Sequence, residues 1–180
     1  MKTLLTSTVG GIDLSLSNIT LTITTTATAL MAGLFFAYSC SVNPGLARLA
    51  DTSYLAAMQS INRAILNPFF LIPFVGLVLL LPFTAYLEYT SPVSPRFLLL
   101  AAAAITYIWG VFGITMLKNV PLNEALDAFN IQAASVEDLT RQRLQFEEPW
   151  NRWHLIRTIA AVLTSVFTIL ACLFPSSSKI

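Results

Sequence analysis

The sequence predicts an all-α protein, an integral membrane four-helix bundle with amphipathic helices in the first and third connections and a single transmembrane domain over residues 1–180. Hydrophobic residues make up 56% of the chain and charged residues 11%, whereas soluble domains carry about 25% charge. Asp, Glu, Lys and Arg are absent from four intervals, 14–47, 64–87, 97–117 and 158–178. The three later intervals hold 24, 21 and 21 residues, and about 20 apolar residues cross the hydrocarbon layer as a helix.

The four predicted spans cover about residues 19–40, 67–86, 97–117 and 150–174. Threonines crowd the start of the first span, which predicts that it faces neighbouring helices more than lipid. In the second span, Pro68 suits a first helical turn, whereas Pro73 and Pro82 predict kinks. Pro149 marks the predicted start of the fourth span.

The connections after the first and third spans are long and polar, and they lie on the same side of the membrane. Residues 51–66 predict an amphipathic helix, because their apolar side chains recur at helical spacing. Residues 121–145 predict one or two further helices, with Ser135 as a candidate N-cap. Six basic residues flank the spans on this side and three on the other, which favours long connections in the cytoplasm.

Composition excludes several kinds of partner. A net charge of +1 gives no electrostatic footprint for nucleic acid. Cys40 and Cys172 lie in or at the end of apolar segments and predict no disulfide framework, and no Cys/His cluster has zinc spacing. We therefore predict no metal site, and we expect the partners to be the lipid bilayer and an apolar small molecule.

The start of the fourth span holds the first group of candidate site residues. Trp150, His154, which is the only histidine, and Arg157 are spaced to share one helix face. One interpretation is an interfacial belt, with tryptophan at headgroup level and arginine extended towards it. The other is a site at the mouth of the bundle, where His154 is a general base, an orienting group or a haem ligand. An ionisable residue such as Arg157 inside a span indicates function.

Asparagines form the second group. Asn62, Asn119 and Asn123 bracket the ends of two spans. They can serve as helix caps, or their amides can converge on the bundle mouth and donate to a phenol or ketone oxygen. Glu124 and Asp127 are interpreted as solvated helix charges.

Five blocks of the sequence resemble a known family. They cover residues 33–39, 43–49, 57–68, 115–126 and 150–158 and include Met-Gln-x-Ile-Asn-Arg and Asn-Val-Pro-Leu-Asn. In order and spacing they resemble the bacterial branch of the anthrone oxygenase family. The resemblance implies a four-helix bundle in a bacterial inner membrane. The family's fungal members oxidise anthrones to anthraquinones with molecular oxygen. In the fourth span the family pattern is Trp-Asn-His-x-Arg, whereas this chain has Trp153, His154 and then Leu155 in the usual histidine place.

The resulting hypothesis is a membrane oxidoreductase that uses molecular oxygen on an anthrone- or phenol-like substrate. In it His154 is the base or orienting group, Arg157 stabilises an oxygen anion, and Asn62, Asn119 and Asn123 are donors. A cofactor is not required, and haem held by His154 is the alternative. The rival hypotheses are a membrane protein that binds haem, quinone, lipid or pigment, an accessory subunit of a larger complex or oligomer, and a bundle whose polar residues are only caps and anchors.

Overall fold

The computed structural model describes residues 8–9 and 12–176. Its α-helices are α1 Leu16–Ala37, α2 Asn43–Leu46, α3 Asp51–Ala64, α4 Pro68–Leu87, α5 Pro95–Ile105, α6 Val120–Asp127 and α7 Val136–Cys172. Three π-helical segments, π1 Tyr38–Val42, π2 Thr106–Gly113 and π3 Thr115–Asn119, continue the helices they follow, and Ile131–Ala133 forms a 3₁₀ turn. Near the start of the chain, Thr8–Val9 pairs antiparallel with Ile12–Asp13.

Four helical stretches are long and apolar enough to cross a membrane: Leu16–Leu46, Pro68–Leu87, Pro95–Asp127 and Val136–Cys172. Because such helices satisfy their own backbone hydrogen bonds, they are one of the few structures that can span lipid. The prediction of a helical membrane bundle with amphipathic helices in its long connections is confirmed.

Side-chain caps define where the helices begin. Ser15, Asn67, Ser94 and Ser135 are each the N-cap of a long helix, and each side chain accepts a hydrogen bond from the backbone N–H three residues later. Such a cap stabilises a helix by about 1 kcal/mol. The Ser135 cap predicted from the sequence is therefore present.

Internal prolines do not interrupt the helices. α4 continues through Pro73 and Pro82, and α7 continues through Pro149, so the fourth long helix begins at Val136 and not near residue 150. Before Pro149, α7 is held against the first connection by Arg143, which contacts Asp51 at 3.0 Å and donates to the carbonyls of Ala47 and Leu49. A proline inside a helix removes one backbone hydrogen bond and crowds the preceding turn, and the contacts of Arg143 hold that preceding part of α7 in place.

Threonines join the spans inside the bundle. Thr24 of α1 lies 2.8 Å from Thr84 of α4, and Thr28 lies 3.0 Å from Thr168 of α7. All four side chains are buried. Small hydroxyl residues allow helices to approach closely in lipid. Thr22 and Thr26 of α1 are exposed, so the first span presents only part of its threonines to its neighbours.

The amphipathic helix α3 covers one end of the bundle. Tyr54, Leu55 and Met58 are buried in a cluster that also contains Phe146 and Trp150 of α7. Gln59 on the same helix donates to the backbone carbonyls of Leu126 and Phe129 at 2.8 and 3.0 Å. α3 is thus fixed as a cover over the mouth of the four spans.

A buried ion pair closes the other end. Arg96 at the start of α5 contacts Glu88 at 3.1 Å, and both side chains are almost fully inaccessible. Arg96 also donates to Asn18 at 2.6 Å and to the carbonyl of Phe174 at 3.2 Å, while Ser17 donates to Glu88. Charges taken out of water require an opposite charge and further hydrogen bonds of this kind.

Candidate functional site

A cavity of about 710 Å³ lies beneath α3, between the ends of the four spans. Its wall is mainly apolar and includes Phe35, Phe70, Phe74 and Phe112. A pocket of this size and character matches the clefts that bind small molecules. The polar side chains of the wall are grouped at its two ends, one deep in the bundle and one at the rim.

Arg157 forms the deep end of the cavity. It is only 8% exposed, and its Nε and Nη2 atoms lie 3.2 and 3.1 Å from Nδ1 of His154. Its Nη1 atom donates to the hydroxyl of Thr115 at 3.3 Å. The guanidinium carbon also lies 4.8 Å from the ring centre of Phe35 and 5.2 Å from that of Trp150.

No carboxylate pairs with Arg157 among the residues that the structure describes. Its contacts are a neutral imidazole, a hydroxyl and two aromatic faces. An arginine stays protonated in a protein, and a buried charge is costly when no opposite charge compensates it. The deep end is therefore a preformed cation with room for an anion beside it.

The hydrogen bonds around His154 define its tautomer. Because Arg157 can only donate, Nδ1 of His154 must accept and carries no proton. Nε2 then carries the proton and donates to the hydroxyl of Ser39 at 3.0 Å. The Thr158 hydroxyl donates to the backbone carbonyl of His154 at 2.7 Å, so it can accept from Ser39 at 3.2 Å. His154 is thus neutral, and both ring nitrogens are engaged.

Two π-helical segments position the partners of this pair. Ser39 lies in π1 and Thr115 in π3. Single π turns shift the side chains that follow them and are frequent at functional sites. Ser39 and Thr115 were missed in the choice of site residues from sequence, although both fall in the family blocks, because nothing in their residue types indicates a π turn.

Trp150 connects the histidine to the asparagines. Its ring is stacked on His154, with 4.9 Å between ring centres and 11° between planes. Its Nε1 atom donates to Oδ1 of Asn123 at 2.8 Å. The side-chain nitrogen of Asn119 donates to the backbone carbonyl of Trp150 at 3.3 Å. The aromatic wall and the amides therefore hold one another in place.

The structure places the five predicted site residues in two positions. His154, Arg157, Asn62 and Asn123 line the cavity. Asn119 is fully buried behind Trp150 and is not part of the wall. Asn62 belongs to the cover helix α3, and among the described residues its side-chain nitrogen has no hydrogen-bond partner.

The rim of the cavity is charged and accessible to water. Arg63 of α3 forms a 2.5 Å ion pair with Asp127 of α6, and Glu124 lines the same edge. The helical stretch from Thr115 to Asp127 runs along the cavity, with Thr115 at the level of Arg157 and Asp127 at the rim. Glu124 and Asp127 are exposed, as expected for solvated charges.

The site residues do not match a haem or metal site. To bind haem iron, His154 would have to give up its bond to Arg157 or to Ser39. Among residues 8–9 and 12–176, no group of three His, Cys, Asp or Glu side chains is arranged to hold a metal ion.

Fold and cavity together define an integral membrane protein with a ligand-sized apolar cavity under an amphipathic cover helix. A model of the anthrone oxygenase family matches residues 64–167, more than half of the chain. The protein belongs to the anthrone oxygenase family, and this membership suggests a membrane oxygenase-like function. A search of curated proteins and a search of solved structures each return no match.

The structure shows which way positions 154 and 155 point, the first holding the histidine of this chain and the second being the usual histidine place of the family pattern. Leu155, in the usual histidine place, is 55% exposed on the outer face of α7, whereas His154 is 1% exposed and lines the cavity. Adjacent helix positions differ by about 100° in direction. A histidine at position 155 would therefore point away from the cavity, whereas His154 points into it and contacts Arg157.

Proposed function

We propose that this protein binds an apolar, weakly acidic aromatic molecule of anthrone or phenol type in the cavity and promotes its oxidation by molecular oxygen. The observation that carries the proposal is Arg157, a buried cation without a carboxylate partner at the deep end of an apolar cavity. Such a group favours a ligand that brings its own negative charge.

The chemistry follows from the charge of the guanidinium. An anthrone has a methylene group beside aromatic rings and opposite a ketone, and transfer of one methylene proton to water gives an enolate. Arg157 would stabilise the enolate oxygen through charge-assisted hydrogen bonds. The electron-rich carbon then reacts with oxygen. Overall, the methylene and one molecule of oxygen give a ketone and one molecule of water.

The neighbouring side chains support this role of Arg157. Nδ1 of His154 accepts hydrogen bonds from Nε and Nη2 of Arg157, which favours an orienting role for the imidazole over that of a base. Asn123 accepts from Trp150 through Oδ1, so its nitrogen remains to donate to a ligand oxygen. Asn62 is a second donor of the wall. Asn119 would act indirectly, by holding the backbone of Trp150.

Oxygen uptake by the protein in phosphatidylcholine vesicles tests the proposal. With anthrone as the probe, wild type should consume one oxygen per anthrone faster than protein-free vesicles. Arg157→Met should reduce uptake to the protein-free rate. Arg141→Met is the matched control, because Arg141 is an exposed arginine paired with Asp138 on the same helix. Wild-type uptake by Arg157→Met would refute the assignment.

Binding without oxidation is the second candidate function. It is favoured by the imidazole of His154, whose two nitrogens are both engaged and leave no free base beside Arg157. A ligand that binds in the Arg157 cavity without any oxygen uptake would support it. For either function we propose a bacterial inner membrane, with α3 and α6 on the cytoplasmic side.

A further inference from the structure

Two residues of α4 belong both to the cavity wall and to the surface that faces lipid. Ile72 and Leu79 are 72% and 75% exposed, and Val75 lies between them on the same face at 47%. Leu71, one turn before Val75, is 36% exposed. Both Leu71 and Val75 line the cavity. The wall of the cavity is therefore thin along this part of α4.

The facing part of α1 has the same property. Leu34 is 38% exposed, lies one turn beyond the 61% exposed Leu30, and lines the cavity. The hydroxyl contact between Thr24 and Thr84 joins α1 to α4. It lies ten residues from Leu34, roughly 15 Å along the helix. A separation near Leu34 leaves that contact in place, and it moves Met31 and Phe35 of α1 relative to Phe74 and Leu77 of α4, which belong to the same buried cluster.

The alternative path through the rim suits an apolar molecule poorly. It passes the exposed ion pair between Arg63 and Asp127, and it begins in water. Leaving the bilayer for water costs about 25 cal/mol for each Å² of apolar surface. A planar aromatic molecule is therefore concentrated in lipid, on the side of Leu34, Leu71 and Val75.

We propose that Leu34, Leu71 and Val75 form a lateral window through which the ligand passes between the bilayer and the Arg157 cavity. This inference rests on the proposed function for the identity of the occupant, an apolar aromatic molecule with an acidic oxygen. The window selects molecules that are dissolved in lipid, and Arg157 then selects those that can carry a negative charge.

Binding kinetics of 1,8-dihydroxyanthraquinone, a planar phenolic dye, test the window. Trp109→Phe combined with Trp153→Phe leaves Trp150, which lines the cavity, as the fluorescent reporter. Vesicles that contain this variant are mixed with dye-loaded vesicles, and the quenching of Trp150 is followed in time. The protein vesicles are present at high concentration, so that dye transfer between vesicles is not limiting.

Two double variants should move the rates in opposite directions. Leu71→Phe with Val75→Phe narrows the window and should slow both binding and release about tenfold, with little change in affinity, since tenfold corresponds to roughly 1.4 kcal/mol in the barrier. Leu71→Ala with Val75→Ala should accelerate both steps. The matched control is Ile72→Phe with Leu79→Phe, because those side chains face lipid but do not line the cavity.

Rates that are equal in the narrowed, widened and control variants would overturn the window, as would a complete lack of Trp150 quenching. The dye assay requires no oxygen chemistry. If the narrowed variant is slow but no variant consumes oxygen with anthrone, oxidation fails and the window stands. If oxygen uptake is normal and the rates do not respond, the window fails alone.

Discussion

Replacement of Arg157 by methionine separates a binding role of the guanidinium from a structural one. Replacing a buried ion pair by apolar residues is often neutral or stabilising by about 1–4 kcal/mol. We expect the same range for Arg157→Met, because Arg157 has, among the described residues, no carboxylate partner that the substitution would leave uncompensated. Against this gain, Nδ1 of His154 loses both of its donors, which costs about 1–3 kcal/mol for an unpaired buried group. The free energy of unfolding should therefore change by no more than about 3 kcal/mol in either direction.

The effect on an anionic ligand should be much larger. A hydrogen bond to a charged group contributes about 1.5–3 kcal/mol, so loss of Arg157 should weaken dye binding by roughly 10- to 150-fold. For the same reason, the pKa of the dye hydroxyl should be lower by about 1–2 when the dye is bound to wild type than when it is bound to Arg157→Met. The colour change of the dye on ionisation reports this shift directly.

Titration of the dye and thermal unfolding in detergent measure the two quantities on one preparation. Arg157→Lys is the informative companion, because it keeps the charge but loses the fork of donors. It should retain part of the shift in dye ionisation. The opposite result would be a free energy of unfolding several kcal/mol lower in Arg157→Met, with unchanged dye affinity and dye ionisation. Arg157 would then only stabilise the fold, and the proposed anion site would be refuted.

Three further predictions concern other parts of the molecule. Because His154 is the only histidine, ¹⁵N-histidine NMR should give one pair of signals at neutral pH, with Nε2 protonated and Nδ1 not; the reverse pattern would contradict the hydrogen-bond assignment. Glu88→Gln should cost about 3–5 kcal/mol of stability, because Arg96 is left buried without a counter-charge, and should leave dye affinity unchanged. Hydrogen bonds from Thr140 and then Arg143 lower the pKa of Asp51 from its ordinary value of 3.8. The stabilisation of the first connection by ionised Asp51 is therefore present above that value and lost as pH falls through the lowered pKa. Limited proteolysis of the wild type should accordingly cut near α3 only at low pH. In Asp51→Asn, cleavage near α3 should not depend on pH in this way.

The sequence was sufficient for the features that depend on local chemistry. Uncharged intervals identified the four spans, and Ser135 was identified as a cap because a serine before an acidic first turn is a strong local signal. The grouping of His154 with Arg157 followed from helical spacing and holds in the structure, where the two side chains are in contact. Each of these predictions depends only on residues fewer than five positions apart in the sequence or on a long interval without charged residues.

Features that depend on packing could not be predicted in the same way. The continuation of α7 through Pro149 is stabilised by contacts from Arg143 to a distant connection. The direction of Asn119 depends on π2, which precedes it, and on π3, of which it is the last residue, and π-helical segments have no compositional signature. Its position at the end of a predicted span grouped Asn119 with the site, whereas its amide contacts the backbone of Trp150.

The two ends of the bundle handle buried charge in opposite ways, and this contrast supports the location of the site. At one end Arg96 is paired with Glu88 and has two further acceptors, so its charge is compensated within the chain. At the other end Arg157 has a neutral imidazole, a hydroxyl and a cavity. A protein can stabilise a buried arginine by supplying a carboxylate, as this chain does at Arg96. Where the chain places an apolar cavity beside the arginine instead, as at Arg157, the proposed ligand is the group that would supply the counter-charge.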